Sequence, residues 1–412
     1  MFQNIIIYIF TIILLFLSAC KDSNNELQQT LRSNINNSYY EQNTQEATLR
    51  LESIAYNKTN ITNIYERFKI VHISDPHLSN YSQDNHYLNP INFIQSIRFA
   101  NQPELKINAI TVTGDLISNE EKQKALKYMN SFYSYFKKDN NIPSFICTGN
   151  HDSNMIENVS KNSISREEIH SILFSKLINT DKNYFYSDIP NPQGGTIRFI
   201  SLDMLDQPKT DYSTLFYAYF SQEQINWLGN IALKKDITTK HSIIILTHYP
   251  FQPFSSNAYT YLCDGDFVHS WSMIPEIIEA YRSRSCIKKT YINKITKSPD
   301  LSVNFDFSNS SGEFICYLGG HAHFTTNFNI EGFDNENKNL ISQKMLLCTN
   351  QSPSEIGTVY NKVKREFGTK TSNSFCLYAI DTKEKKIYIT FFGAYKPSDD
   401  PDYPNIQTLT YF

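Results

Sequence analysis

The chain has 412 residues, of which 40% are apolar and 14% are aromatic, so it can bury a substantial core as one large domain or as two. Its 38 lysine and arginine residues nearly balance 41 aspartate and glutamate residues, and the formal net charge is -3. This balance argues against a polyanion-binding protein with a generally basic surface.

The N-terminal segment predicts export. Residues 5–17 are almost continuously apolar, a stretch too short for a comfortable membrane span that fits the core of a secretory signal. The sequence Leu17-Ser18-Ala19-Cys20 resembles a bacterial lipobox, whose cysteine is lipidated and becomes the mature N-terminus. No lysine or arginine precedes the apolar run, which leaves an uncleaved anchor helix as the alternative. We expect residues 1–20 to be a lipoprotein signal peptide and the protein to be held at a periplasmic or cell-surface membrane face through Cys20.

Residues 21–64 are rich in Asn, Gln, Ser and Thr and show no sustained apolar period. This composition is typical of a polar tether, here with a short helix near residues 47–54. The folded domain is predicted to begin near Tyr65 and to occupy residues 65–412.

The cysteines that follow Cys20 can form disulfides if the protein is exported, because an extracytoplasmic compartment permits them. Cys147 and Cys316 lie inside predicted strands and are interpreted as buried free thiols. Cys263 and Cys286 lie in one loop-like segment and form the candidate disulfide pair, with two free thiols as the alternative.

Five short apolar runs each end in polar residues of the types that bind metals. The runs are residues 70–74, 109–113, 144–148, 242–247 and 314–318, followed respectively by Asp75-Pro76-His77, Gly114-Asp115, Gly149-Asn150-His151-Asp152, His248, and Gly319-Gly320-His321-Ala322-His323. Because open α/β sheets place their sites at the carboxyl ends of buried strands, we expect one shared ligand-rich edge. Imidazoles, carboxylates and an amide without thiolates suit Mn, Fe or Zn. The candidates exceed the four ligands of one tetrahedral site, which indicates two metals with a bridging carboxylate.

The order DxH, GD, GNH, a lone H and GHxH resembles the calcineurin-like metallophosphoesterase family. The resemblance implies an α/β fold, a four-layer αββα sandwich of two mixed sheets with outer helices. It also implies a metal-bridging hydroxide that attacks phosphorus in line. The implied ligands are Asp75, His77 and His323 for the first metal, Asn150, His248 and His321 for the second, and Asp115 as the bridge. His151 is expected at the leaving-group oxygen, and Asp152 is expected to orient a ligand or His151.

The segments between the motifs support the same architecture. Three helix starts are predicted from capping boxes, at Ser118 with Glu121, Ser165 with Glu168, and Ser221 with Gln224. Two further strands are predicted at 196–202 and 375–380, the second continuing through a polar turn into 386–392 as a hairpin. Strands alternating with helices, followed by a strand-rich C-terminal part, favour two sheets packed face to face with helices outside.

A long segment separates His248 from His321, and segments of this length are usually functional or disordered. It holds a predicted helix around 274–281 and several aromatic residues, namely Phe251, Phe254, Tyr259, Tyr261 and Trp271. Because it leaves beside one ligand and returns beside two others, we predict a specificity cap at about 252–312. The alternative is an insertion whose aromatic residues pack against one another.

The motifs predict the reaction class more narrowly than the substrate. Purple acid phosphatases carry a metal-bound tyrosine shortly after the GD motif, whereas Leu116-Ile117-Ser118 follow this motif here. The chain after His323 is also too short for the C-terminal domain of a long 5′-nucleotidase. We therefore expect a phosphodiesterase acting on an extracytoplasmic nucleotide, sugar-phosphate or lipid head-group ester. The alternatives are a phosphomonoesterase with the same site, a metal-dependent nuclease, which the charge balance disfavours, and a catalytically inactive binding protein. Outside the motifs, Asp203 is read as either an orienting residue or a cap, and His72 as a packed core side chain.

Overall fold

The computed structural model describes residues 66–78, 89–154, 160–206, 219–251, 272–292, 300–323, 325–330, 343–348, 373–394 and 406–411. The predicted signal peptide with Cys20, the tether and the short helix near 47–54 lie outside these residues, so they stay predictions. Within the described ranges, no helix combines the length and the apolar character needed to cross a membrane.

Fourteen strands occur in the described part of the chain. They are β1 (Phe68–Ile73), β2 (Ala109–Thr113), β3 (Ser144–Cys147), β4 (Phe185–Pro190), β5 (Thr196–Ser201), β6 (His241–Leu246), β7 (Cys286–Tyr291), β8 (Leu301–Asp306), β9 (Glu313–Gly319), β10 (Thr326–Ile330), β11 (Gln343–Leu347), β12 (Ser374–Asp381), β13 (Lys386–Gly393) and β14 (Ile406–Thr410). All eight predicted strands are present, displaced by at most two residues at either end.

The helices of the described residues are named in the same way. They are α1 (Asn89–Ala100), α2 (Lys122–Asp139), α3 (Arg166–Ile169) continuing as a π-helix (His170–Ile178), α4 (Gln222–Trp227) continuing as a π-helix (Leu228–Ala232), and α5 (Met273–Arg282). Short 3₁₀ turns occupy Pro103–Leu105, Asn150–Ser153 and Ser160–Asn162.

The strands form two six-stranded mixed sheets and one two-stranded sheet. The first sheet has the order β14-β13-β12-β1-β2-β3, in which β1, β2 and β3 are parallel and β12 to β14 are antiparallel. The second has the order β10-β11-β9-β6-β5-β4, with β5, β6, β9 and β11 parallel and antiparallel strands at both edges. The five strands that precede the motifs are β1, β2 and β3 of the first sheet and β6 and β9 of the second.

The two sheets pack face to face, with helices on their outer sides. Between the sheets, the Phe199 ring of β5 stacks on Phe145 of β3 at a centroid distance of 4.2 Å. Outside the first sheet, Phe99 of α1 contacts Phe375 of β12 at 4.8 Å. Strands covered on both faces read as continuous apolar runs, which is why these strands lack a strict alternation. The predicted four-layer αββα sandwich is confirmed.

The second sheet shows the layering within a single strand. Alternate residues of β6 point to opposite faces, so Ile244 and Leu246 join the large core shared with the first sheet. Ile243 and Ile245 belong to a separate core that α4, α5 and β8 complete. The second half of the predicted cap therefore packs as an outer layer of the sandwich.

The remainder of the predicted cap stays a prediction. Residues 252–271, with Phe254, Tyr259, Tyr261 and Trp271, lie outside the described part of the chain. Phe251, just before them, packs on Tyr317 of β9 at 5.1 Å. Cys286 is an exposed free thiol, and its candidate partner Cys263 lies outside the described residues. Cys147 and Cys316 are buried free thiols, as predicted.

Two of the three predicted helix starts are confirmed and one is wrong. Ser165 and Glu168 form a capping box, and the Ser221 hydroxyl accepts from the Gln224 backbone N–H. The helix predicted at Ser118 begins instead at Lys122, where the Glu121 side chain is the N-cap and accepts from the Gln123 N–H. The Ser118 hydroxyl donates to the His77 carbonyl oxygen at 3.2 Å. Ser118 therefore bonds to a neighbouring loop and does not cap the helix.

Candidate metal centre

The loops that follow β1, β2 and β9, three of the five motif strands, adopt an unusual backbone conformation. Five non-glycine residues there have positive φ, namely Asp75 at 48°, His77 at 45°, Asp115 at 49°, His321 at 64° and His323 at 53°. Each such conformation costs about 1–3 kcal/mol and persists only where the surrounding structure holds it. The concentration of strain at one sheet edge marks this edge as a candidate site.

Contacts between the loops hold these conformations in place. The Asp75 N–H donates to the Gly114 carbonyl at 3.2 Å, and the His77 N–H donates to the Asp115 carbonyl at 2.9 Å. The His321 N–H donates to Asp75 Oδ2 at 3.1 Å, which joins the loops of the two sheets. Each loop is thus fixed by its neighbours as well as by its own strand.

One glycine lets the loops approach this closely. Gly114 has φ of 78°, and a Cβ at this position would overlap the ring of His248. Only glycine combines the left-handed backbone with the absence of a side chain. The turn glycine of the GD motif is therefore also a packing requirement for the histidine of the second sheet.

A first ligand group consists of Asp75, His77, Asp115 and His323, all buried, with one donor atom from each within 4.8 Å of the others. His323 Nε2 lies 3.2 Å from Asp75 Oδ1. His77 Nε2 lies 3.2 Å from His323 Nε2 and 3.7 Å from Asp115 Oδ2. These atoms converge on one point from both sheets.

A second ligand group consists of Asp115, His248 and His321, also buried. His248 Nε2 lies 3.3 Å from Asp115 Oδ2. The Asn150 amide oxygen lies 3.0 Å from both His248 Nε2 and His321 Nδ1 and adds a fourth donor to this group. The structure thus brings together the residues of each ligand set that the family resemblance implied.

Asp115 belongs to both groups, and its two oxygens have different surroundings. Oδ1 accepts from the His151 backbone N–H at 2.8 Å. Oδ2 lies between His77 Nε2 and His248 Nε2, at 3.7 and 3.3 Å. The carboxylate is therefore oriented by the backbone and faces both groups with one oxygen.

Hydrogen bonding also selects the ligand nitrogen of His248. Its Nδ1 donates to the Thr113 carbonyl oxygen at 2.8 Å. A histidine whose second nitrogen is held in this way presents the other nitrogen in a defined orientation, a usual arrangement around bound metals. Here that nitrogen is Nε2, which faces Asp115 and Asn150.

The electrostatics of the buried groups suit cation binding. Burial lowers the pKa of His77 and of His321 to about 3, so both rings are neutral and keep a lone pair at neutral pH. Burial alone would also lower the pKa of His248, but the adjacent Asp115 carboxylate raises it to about 9, so a cation bound at its Nε2 would have to displace a proton. Burial would likewise raise the pKa of Asp115, whereas the neighbouring histidines hold it well below its usual range. Ionised carboxylates, imidazoles and an amide oxygen form a donor set that fits a divalent metal such as Mn, Fe or Zn.

His151 lies beside the two groups without belonging to either. Its ring meets that of His77 edge-on at a centroid distance of 4.9 Å, and its Nε2 lies 4.0 Å from Asp115 Oδ2. Its side chain is 26% exposed, whereas those of Asp115 and His248 are almost fully buried. His151 therefore reaches from the buried centre towards solvent.

Asp152 contacts backbone rather than a histidine ring. Its carboxylate accepts from the N–H groups of Gly149 and Leu116, each at 2.7 Å, and from that of Ile117 at 3.4 Å. These bonds join the loop that carries Asp115 to the loop that carries Asn150. Of the two roles expected from the sequence, orienting a metal ligand fits this geometry.

The structure also assigns the residues that the motifs left open. Asp203 accepts from the Thr148 hydroxyl at 2.7 Å and from Arg166 Nη2 at 2.6 Å, so it anchors the end of β3 just before Asn150. His72 is a fully buried side chain, as predicted. Tyr249, which sequence reasoning passed over, places its ring 4.1 Å from that of His321. Its position directly after His248 was the available signal.

Comparison with known proteins places the chain in a family. The model described as calcineurin-like phosphoesterase matches residues 68–323, more than half of the 412 residues, and confirms the resemblance drawn from the motifs. A solved structure titled "Structure of PhoD" is similar, with a TM-score of 0.43 and 10% sequence identity over 84% of this chain and 68% of that chain. No curated protein matches the chain. The chain belongs to the calcineurin-like phosphoesterase family.

Proposed function

We propose that this phosphoester hydrolase works with two divalent cations, Mn, Fe or Zn, one in each ligand group. The observation that carries the proposal is the shared carboxylate. Asp115 Oδ2 lies between His77 of the first group and His248 of the second, while its Oδ1 is held by a backbone N–H. A single four-ligand site would leave the buried polar side chains of the other group without a cation to compensate their burial.

The roles of the chain's own residues follow from their positions. Bound in these groups, two divalent cations would supply an acidified water and electrostatic stabilisation of the phosphoryl oxygens. Asp75, His77, His323, Asn150, His248 and His321 would hold them, with Asp115 contributing to both. The left-handed conformations fix these side chains before substrate arrives, so little reorganisation is needed on binding.

We place His151 at the leaving-group oxygen. The ring lies next to both ligand groups and is partly exposed, so a bound phosphoester can reach it. An imidazole in this position can hold a proton and pass it to the departing oxygen. Asp152 acts on the reaction only through the loops that it joins, by keeping Asp115 and Asn150 in register.

We propose a phosphodiester as the preferred substrate class and a phosphomonoester as the alternative. Leu116 and Ile117, directly after Asp115, are fully buried apolar residues, so this position supplies no further metal ligand. An extracytoplasmic nucleotide, sugar-phosphate or lipid head-group ester fits the predicted export. Substrate choice then depends on the segment predicted as a cap.

Hydrolysis by the purified full-length chain tests this function. Rates are measured on a bis-aryl phosphodiester and an aryl phosphomonoester, with Mn²⁺ and with chelator. Asp115→Asn is compared with Asp181→Asn, a matched change at an exposed position. We expect diester hydrolysis that chelator and Asp115→Asn abolish and Asp181→Asn leaves unchanged. Hydrolysis that survives chelation contradicts the metal mechanism, and faster monoester hydrolysis favours the alternative substrate class.

We also propose that lipid on Cys20 holds the protein at the periplasmic or cell-surface face of a bacterial membrane. The proposal rests on the lipobox-like sequence and the polar tether of residues 21–64. Mass spectrometry of the N-terminus of the unaltered chain, with Cys20→Ala as the control, tests it. We expect the unaltered chain alone to begin at an acylated Cys20, and an unmodified Cys20 would contradict the anchor.

A further inference from the structure

A line of buried polar side chains connects the middle of the first sheet to the metal centre. The Tyr378 hydroxyl of β12 lies 3.0 Å from His72 Nδ1 of β1, and His72 Nε2 lies 2.8 Å from the Thr113 hydroxyl of β2. The Thr113 hydroxyl donates to Ser74 Oγ at 2.9 Å, and the Ser74 hydroxyl donates to Asp75 Oδ2. The sequence patterns predicted no role for these four residues beyond packing.

All five residues are at most 1% exposed. In a dry position, a polar group that loses its partner is left unsatisfied, because no water replaces the partner. The line therefore has to be satisfied from within, one group donating to the next.

The Asp75 carboxylate sets the direction of every bond in the line. An ionised carboxylate only accepts, so Ser74 donates to it; the Thr113 carbonyl, 3.3 Å from the same hydroxyl, is the weaker acceptor. Ser74 then accepts from Thr113, and Thr113 accepts from His72 Nε2–H. His72 Nδ1 is left as an acceptor for the Tyr378 hydroxyl, which specifies the neutral Nε2–H tautomer.

The line reaches one particular oxygen of Asp75. Oδ2 receives the Ser74 hydroxyl and lies 3.1 Å from the His321 N–H. Oδ1 lies 3.2 Å from His323 Nε2 and 3.9 Å from His77 Nε2, within the first ligand group. Occupying Oδ2 turns Oδ1 towards the other ligands of that group.

We propose that Tyr378, His72, Thr113 and Ser74 are positioning residues for the first metal site, and that they act by fixing the Asp75 carboxylate in its ligand orientation. The proposal goes beyond the proposed function and rests on it for the role of Asp75. Side chains that orient a metal ligand typically affect metal affinity or activity by about 10–100-fold. The line meets the second ligand group through the backbone N–H of His321, which donates to Asp75 Oδ2, whereas the His321 ring faces Asn150, so the affinity of that group should change less.

Isosteric variants of the full-length chain separate positioning from folding. Thr113→Val removes the hydroxyl and keeps the backbone carbonyl that holds His248, whereas Thr113→Ser keeps the hydroxyl. Tyr378→Phe removes only the donor at the far end of the line. Metal-free protein is titrated with Mn²⁺, and the melting temperature of each metal-free variant is recorded alongside.

We expect two Mn²⁺ binding events in the unaltered chain. Thr113→Val should weaken one of them by about 10–100-fold and the other by clearly less, and Thr113→Ser should restore the weakened event. Tyr378→Phe should weaken the same event by about threefold or more, which is the lower end of the effect of one hydrogen bond. If Thr113→Val does not fold, the Tyr378→Phe result alone tests the proposal.

The possible failures are distinguishable. Unchanged Mn²⁺ affinity in the folded Val and Phe variants, beside tight binding by the unaltered chain, overturns the positioning role and leaves the proposed function intact. Equal weakening of both binding events also overturns it, because a general loosening of the fold would act on both sites. Absence of Mn²⁺ binding by the unaltered chain overturns both proposals.

Discussion

A methyl group added at Gly149 is expected to damage the metal centre more than the fold. Gly149 precedes Asn150 and has φ of -112°, which any residue adopts, so backbone strain plays no part. A Cβ at this position would overlap the backbone nitrogen and Oδ1 of Asp115. Gly149→Ala therefore pushes directly on the carboxylate that belongs to both ligand groups.

The expected magnitude follows from this overlap. Restoring ordinary van der Waals separation requires the two loops to move apart by about 1 Å. A displacement of about 1 Å in a catalytic site costs about 100-fold in rate. Overpacking of a buried position costs about 1–3 kcal/mol in the free energy of unfolding. We therefore expect Gly149→Ala to remain folded, with reduced metal content and roughly 1% of the activity.

Gly194→Ala is a matched control for this prediction. Gly194 lies in the turn between β4 and β5 with φ of 97°, and no atom lies within 4 Å of an added Cβ. Alanine in this left-handed conformation costs about 1–2 kcal/mol without touching the site. The assay compares free energy of unfolding in urea, bound metal per chain and phosphodiester hydrolysis. A Gly149→Ala variant with unaltered rate and metal content would refute the close approach of the two loops.

Three further predictions concern stability. Chelation should lower the melting temperature, because a ligand at about 100 times its Kd stabilises the native state by about 2.7 kcal/mol; an unchanged melting temperature would contradict metal binding. Burial would raise the pKa of Asp381, but the Glu384 N–H and Arg67, whose Nε lies 3.0 Å away, lower it. The stability that this lowered pKa contributes is fully present above the unfolded value of about 3.9 and is lost as pH falls through the folded value. Asp381→Asn should therefore lose less stability than the unaltered chain on acidification from about pH 7 to about pH 3. Equal losses of the two in urea unfolding would contradict this. Ser221→Ala should cost about 1 kcal/mol in urea unfolding through loss of the helix cap, and its hydrolysis rate should stay unaltered.

Much of the site was predictable from local pattern. A buried parallel strand needs a continuous apolar run, and the turn after it needs glycine or a short polar residue, so each strand and its motif form one readable unit. His248 illustrates the limit of this reasoning. Alone it is an ordinary polar residue at a strand end, and only its order among the other motifs indicated a ligand.

The misplaced helix start shows where local pattern failed. Ser118 and Glu121 have the spacing of a capping box, yet the Ser118 hydroxyl donates to the His77 carbonyl of a neighbouring loop. The competing partner lies on another strand connection, and its position depends on how β1 and β2 pair. The outer-layer packing of α5 and β8 was also not predictable from local pattern. The position of this segment depends on the apolar surface of the second sheet, which forms only when the strands pair.

The sequence by itself determined the strands, the ligand types and their order, because these depend on neighbours along the chain. The tertiary structure alone decided which oxygen of Asp75 or Asp115 faces which histidine, which loops Asp152 joins, and how His72 meets Tyr378 across a separation of 306 residues. Such contacts depend on the register of paired strands and the packing of two sheets, and no spacing within the sequence encodes those distances.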